Sequence, residues 1–238
     1  MDQNDTVYAP LEDAEAADSK IQLILTGEKL FAERGFEGAS LREIASAAGH
    51  GNNNAVRYHF GSKQGLIQAI FRFRVIQMEP IRARLLAKLE KDGLLGDARS
   101  LLEVILLPYL TLRAPDGTIS YPAFLMQYLL HDRPKGVEHV ADEAGALSAA
   151  LNRALALIEA RIFFLDKTTA DRRLLSASTI FISAVISAEN RIPQLSANDY
   201  RAVINDTMDQ CATVLTLSPQ RTRSCLMTDP EIQAGLKS

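Results

Sequence analysis

The sequence contains no apolar run long enough to span a membrane. Its first residues, MDQNDTVYAPLEDAEAAD, lack the basic and apolar regions of a signal peptide. Residence in the cytoplasm is therefore the expectation, with no membrane partner. There are only two cysteines, Cys211 and Cys225. They are too few for a disulfide framework or a zinc ligand set, and a buried Cys211 and a loose Cys225 in a reducing compartment are expected. Strand-like alternation and internal repeats are also missing, which leaves an all-α fold. The net charge of −3 is not that of a general nucleic-acid binder. What the chain does have is 238 residues, 47% of them hydrophobic, enough for a sizeable core in one large or two modest domains.

The charge is unevenly distributed. Residues 1–17 carry five acids (Asp2, Asp5, Glu12, Asp13, Glu15) and no base. Over residues 18–74 bases outnumber acids. That basic excess covers Ser40 to Lys63, SLREIASAAGHGNNNAVRYHFGSK, the most informative stretch of the chain. Ser40 and Glu43 have the spacing of a capping box. Leu41, Ile44, Ala45 and Ala48 then form one apolar helical face. Gly49 follows where a helix exit favours φ > 0. A second short helix is predicted over Ala55–Phe60, starting among Asn52, Asn53 and Asn54. Two short helices joined by a tight glycine turn form a helix-turn-helix, whose second helix enters the DNA major groove.

The periodicity divides the rest of the chain. Residues 1–17 are expected to be a disordered arm. A first helix is predicted from a Ser19 cap to Arg34, ending at Gly35, with Leu23, Ile24, Gly27, Leu30 and Phe31 facing inward. Gly27 is unfavourable within a helix unless a neighbour packs closely there. Ser62 caps a longer helix bearing Leu66, Ile67, Ile70, Phe71, Val75 and Met78. Pro80 marks a kink or boundary, since it cannot donate the next backbone bond. The DNA-binding domain is thus drawn at 18–80, a helical domain at 81–218 and a polar tail at 219–238. Within 81–218, helices are expected at Ile81–Leu89, Leu101–Leu112, Pro122–His131, from Leu147 for about twenty residues, at 171–190 and at 198–217.

In order, these motifs are an amphipathic helix with LF-A-x-x-G-F, then S-L-R-E-I-A-x-x-A-G, then Y-H-F-G-S-K, then L-I-x-A-I-F. Together they resemble the DNA-binding domain of the TetR/AcrR transcriptional regulators, over roughly residues 19–72. The segment His50 to Arg57 is longer than in most members and resembles a subset with an extended, Asn-rich turn. The resemblance implies a homodimeric repressor whose C-terminal domain dimerises and binds a small-molecule inducer. Phosphate contacts would come from Ser40, Tyr58, His59 and Lys63, with Lys20 and Arg42 flanking. Base reading would fall to Asn52, Asn53, Asn54 and Arg57. Asn can bond adenine N6 and N7 together, and Arg can bond guanine O6 and N7. Asn52 could equally serve only the turn, and His59 could be a packing residue. The partners would be a palindromic double-stranded operator and a second copy of the chain, held through residues 171–217.

In the C-terminal part, Tyr109, Tyr121, Phe124, Tyr128 and His131 are the candidate ligand-binding residues, with Phe163 and Phe164 nearby and Arg113 or Arg133 to pair a carboxylate. A small apolar or aromatic inducer is the expectation. An equally open reading for each aromatic is core packing, in which case a protein partner would control the regulator. A helical metal-dependent enzyme is a further alternative, resting on His131, Glu138, His139, Asp142 and Glu143. Their spacing matches no known ligand set, and Gly61-Ser62-Lys63 has the wrong order for a phosphate loop. No catalytic residue, metal or cofactor is expected.

Overall fold

Helix α1 spans Leu11–Gly38 and bends at Gly35, where φ is 72°. The computed structural model describes residues 11–51, 54–114, 117–139, 146–190, 195–218 and 229–235. The helix begins well before Ser19, so residues 11–17 are helical rather than part of a disordered arm. Their sequence, LEDAEAA, explains this: it is rich in strong helix formers, and acids near a helix N-terminus suit its dipole. Ser19 consequently does not cap. It lies inside α1, with its hydroxyl 3.3 Å from His50 Nε2. Residues 1–10 lie outside the described residues.

Helix α2 (Leu41–Ala47) starts with the expected capping box. The Ser40 N–H donates to Glu43 Oε2 at 2.9 Å, and the Glu43 N–H donates to Ser40 Oγ at 3.2 Å. Gly49 makes the turn at φ 80°. Helix α3 is Ala55–Phe60, as predicted. Gly61 (φ 73°) reverses the chain, and Ser62 Oγ accepts the Gly65 N–H at 3.0 Å to cap α4.

Helix α4 runs without a break over Lys63–Lys91, through Pro80. The boundary expected at residue 80 therefore falls inside one rigid element, and Ile81–Leu89 is not a separate helix. Pro80 is exposed. The carbonyl that loses its partner belongs to Ile76, which is also exposed, so water can satisfy it.

Helix α5 (Ala98–Leu106) passes into a 3₁₀ turn at Leu107–Thr111. Helix α6 (Tyr121–Gln127) continues as a π turn over Tyr128–Asp132. Helix α7 (Ala149–Arg161) is shorter than expected, because Leu147 sits in a preceding 3₁₀ turn and is exposed. Helices α8 (Lys167–Glu189) and α9 (Ala197–Thr216) pack along each other, and a short α10 (Pro230–Gly235) follows. Part of the expected tail is thus helical. Residues 219–228 and 236–238 lie outside the described residues.

Two cores share α4. The first unites Leu23, Phe31, Ile44, Val56, Leu66 and Phe71 with Tyr121, Phe124 and Tyr128 of the α6 region. The second joins Leu86, Leu102, Leu106, Ile158, Phe181, Met208 and Cys211. Helix α6 therefore belongs to the core of the DNA-binding half and packs against α1. Gly27 fits the close approach inferred for it: a Cβ there would lie 2.9 Å from Leu66 Cδ2.

Candidate nucleic-acid interface

Helix α3 is too short to be stable alone. Its inward side is fixed by Ala55 and the fully buried Val56, and burying a valine contributes about 1.5–3 kcal/mol. That anchoring turns Arg57 and Tyr58 outward. Tyr58 is 85% exposed, a large aromatic held in solvent with its hydroxyl available. Arg42 and Arg57 are both exposed and have no ion-pair partner among the described residues.

These residues border a groove of about 740 Å³ lined by Ser40, Leu41, Arg42, Asn54, Arg57, Gly61, Ser62 and Lys63. It brings together the N-terminal ends of α2 and α4 and the exposed side of α3. Helix N-termini direct N–H groups and partial positive charge toward an anion. The arrangement can therefore hold phosphates while Arg57 meets base edges.

Two of the expected roles change in detail. Lys63 Nζ donates to the Phe36 carbonyl at 2.8 Å, which ties α4 to the end of α1. Its remaining N–H donors stay available to a phosphate. Ser40 is committed to the cap, since its hydroxyl donates to Glu43 Oε2 at 2.7 Å while accepting the Glu43 N–H. The backbone and hydroxyl hydrogen bonds from Ser40 hold the Glu43 carboxyl below its usual pKa, helped by Arg34 at 3.3 Å.

His59 is half-buried, and burial, then the charges of His50 and Lys20, lower its pKa. Lys20 Nζ lies over the Phe60 ring, 5.8 Å from its centroid. Asn54 stands at the start of α3; Asn52 and Asn53 lie outside the described residues.

Sequence reading missed Gly65. A Cβ at that position would sit 1.9 Å from the Phe60 carbonyl oxygen, so α3 can end against α4 only over a glycine. The signal was present as a glycine in the first turn of a long helix.

Residues 23–70 match the model of the bacterial regulatory proteins, tetR family. These residues carry the DNA-binding domain of the tetR family. The solved structures include a TetR-family regulator from Mesorhizobium loti, 17% identical, with a TM-score of 0.42, covering 84% of this chain and 97% of that one. At that distance the likeness transfers no residue roles. None of the curated proteins matches the chain. That domain identifies a DNA-binding protein and points to a transcription factor. No helix among the described residues is long and apolar enough to cross a membrane.

Of the residues expected to bind a ligand, Tyr109, Tyr121, Phe124 and Tyr128 lie in one aromatic cluster, with Tyr109 and Tyr121 ring centroids 5.8 Å apart, and His131 leaves it. Tyr121, Phe124 and Tyr128 are buried and pack on one another and on Phe36 and Phe71, with centroid distances of 4.8–5.8 Å. Phe124 and Tyr128 belong to the core that joins α6 to α1 and α4, and the Tyr128 hydroxyl donates to the Val137 carbonyl at 2.7 Å. His131 is exposed and stands apart from them, because the π turn carries it outward. Phe163 is 81% exposed and does not join the group, nor does its neighbour Phe164. Arg113 is taken by Glu189, paired through both oxygens at 2.7 and 2.9 Å. Arg133 stacks over Tyr128 at 6.0 Å.

Of the residues behind the metal-enzyme alternative, Asp142 and Glu143 lie outside the described residues. Among those described, no three His, Cys, Asp or Glu side chains are grouped to hold a metal.

Proposed function

We propose that this regulator acts as a homodimer on a palindromic operator, as a repressor released by a small molecule. The observation that carries the DNA reading is the groove bordered by the unpaired Arg42 and Arg57, beside the exposed Tyr58. Arg42, Tyr58 and Lys63 position the protein on phosphates. Arg57 and the Asn52–Asn54 turn read bases.

One helix-turn-helix makes few contacts, so two are needed for tight binding, and twofold symmetry makes the site palindromic. Support for pairing through 171–217 comes from the outer face of α8 and α9. There Thr179, Ser183, Ala184, Ser187, Val203 and Gln210 border a shallow groove of about 630 Å³. The small Ser183, Ala184, Ser187 and Ala188 on the α8 side let a helix of a second copy approach closely.

Release follows from the packing of α6 on α1. Glu28 of α1, fully buried, accepts two hydrogen bonds from Arg74 of α4 (2.6 and 2.7 Å) and one from Ser120 at the start of α6 (2.5 Å). A ligand that displaces α6 must carry α1 with it or break this cluster, and so alters the spacing of the two α3 helices. The filled packing around Phe124 and Tyr128 favours a second reading, in which a protein partner moves the same elements.

Footprinting on the DNA upstream of the coding region, with the protein's mass measured in solution, tests the proposal. A symmetric protected tract bound by one dimer is expected. An asymmetric tract bound by a monomer would rule it out.

A further inference from the structure

Arg82 is the one large buried side chain that neither core explains. It is 1% exposed, on α4 between Met78 of the first core and Leu86 of the second. Its Nη2 makes two long contacts, to Met78 Sδ at 3.5 Å and to the Ile105 carbonyl at 3.4 Å. Its Nε and Nη1 are buried and have no hydrogen-bond partner among the described residues.

The Ile105 carbonyl that it reaches lies in the last turn of α5, just before the 3₁₀ turn at Leu107–Thr111. Arginine does not shed its proton in a protein, so the charge stays. Glu79, one turn away on α4, is the nearest carboxylate along the chain, but its Oε1 accepts the Ala150 N–H at the start of α7. Its Oε2 is itself buried and unpartnered.

Two phenols share this environment. Tyr109 and Tyr121 have ring centroids 5.8 Å apart, and neither hydroxyl forms a hydrogen bond among the described residues. Burial raises both phenol pKa values, and the Arg82 charge acts on both in the opposite sense. The walls are apolar: Phe124 stacks on Tyr121 and Phe181 lies 6.4 Å from Tyr109. Tyr109 is the partly exposed member of the group.

A buried guanidinium with two unused donors stands in one neighbourhood with two phenol donors and apolar rings, and no carboxylate among the described residues bonds to it. We infer that Arg82, Tyr109 and Tyr121 form the polar end of a binding site for a small carboxylate with an apolar body. The carboxylate takes the guanidinium as a fork and the phenols as further donors, while the body lies against Phe124 and Phe181. This inference rests on the reading of the protein as ligand-responsive, and it names the ligand class and the anchor. The anchor is Arg82 and not Arg113 or Arg133.

The test measures thermal unfolding of full-length wild type and Arg82→Met with millimolar octanoate, phenylacetate and benzoate, each against its amide at matched ionic strength. Arg82→Met is expected to melt higher than wild type without ligand, because removing an unpaired buried charge relieves its desolvation. At least one carboxylate should raise the melting temperature of wild type, its amide should not, and Arg82→Met should not respond.

A variant that folds but melts lower than wild type, carboxylates that act equally on both proteins, or no response from wild type would each overturn the assignment. Should Arg82→Met fail to fold, the Tyr109→Phe, Tyr121→Phe double variant replaces it; there, loss of the carboxylate response supports the site and an undiminished response overturns it. DNA binding is measured alongside and should be unchanged in Arg82→Met. Absence of DNA binding by wild type itself would instead strike the regulator reading, whatever the thermal shifts show.

Discussion

Replacing Glu28 by Ala removes the carboxylate on which three elements converge. Arg74, 5% exposed, would then be buried without a counter-charge. Breaking a buried pair from one side costs about 3–5 kcal/mol, most of it the stranded charge. For a chain of this size each kcal/mol lowers the melting temperature by about 2–4 °C, so a loss of about 6–20 °C is expected.

Controls separate the causes. Ser120→Ala leaves the Arg74 pairing intact and loses one bond to a charged acceptor, so it should cost less, about 1.5–3 kcal/mol. The double variant Glu28→Met, Arg74→Met removes both charges and should recover most of the stability. The assay is urea denaturation at one fixed protein concentration, because the proposed dimer would make apparent stability concentration-dependent. If Glu28→Ala lies within about 1 kcal/mol of wild type, or the double variant is worse than the single one, the cluster is not a buried ion pair and the link from α6 to α1 fails with it.

Other consequences can be checked separately. Gly65→Ala should weaken DNA binding while α3 and α4 remain helical by circular dichroism, because the added methyl meets the Phe60 carbonyl and forces the two helices apart; unchanged affinity would show that the turn has slack. Cys211 is buried, donates to the Ala177 carbonyl at 3.1 Å, and has its pKa pushed up by burial to about 11; native protein should therefore resist alkylation at this residue at pH 8, with rapid labelling arguing against the core position. Asp97 and Asp166 cap α5 and α8, and hydrogen bonds from Ser100 and Thr169 hold their pKa values below the usual 3.8. A depressed carboxylate pKa stabilises above the unfolded value and loses that contribution as pH falls through the folded one. The melting temperature should thus drop below about pH 4, and Asp97→Asn should flatten that drop; an identical profile would remove Asp97 from the explanation.

The DNA-binding half was legible because its signals are local. The Ser40–Glu43 box, Gly49, the Ala55–Phe60 segment and the Ser62 cap each act within a few residues, and each stands where the pattern put it. The misses are long-range or context-dependent. Pro80 reads as a break, yet an exposed position lets the helix continue. Nothing in the spacing of the α6 aromatics says that α1 will cover Phe124, or that a π turn will carry His131 away from them. Arg82 could not be singled out at all, since an arginine on a basic amphipathic segment looks solvated until a fold surrounds it.

The most direct test of the central claim is a fluorescence anisotropy titration of the protein on its upstream DNA and on random duplex at two salt concentrations, for wild type, Arg57→Ala and Lys63→Ala. The account predicts a salt-dependent preference of wild type for the specific site. Arg57→Ala should lose about 1–3 kcal/mol of that preference. Lys63→Ala should weaken both duplexes alike and reduce the salt slope by about one contact. Equal binding of both duplexes by wild type, or a discrimination untouched by Arg57→Ala, would contradict it.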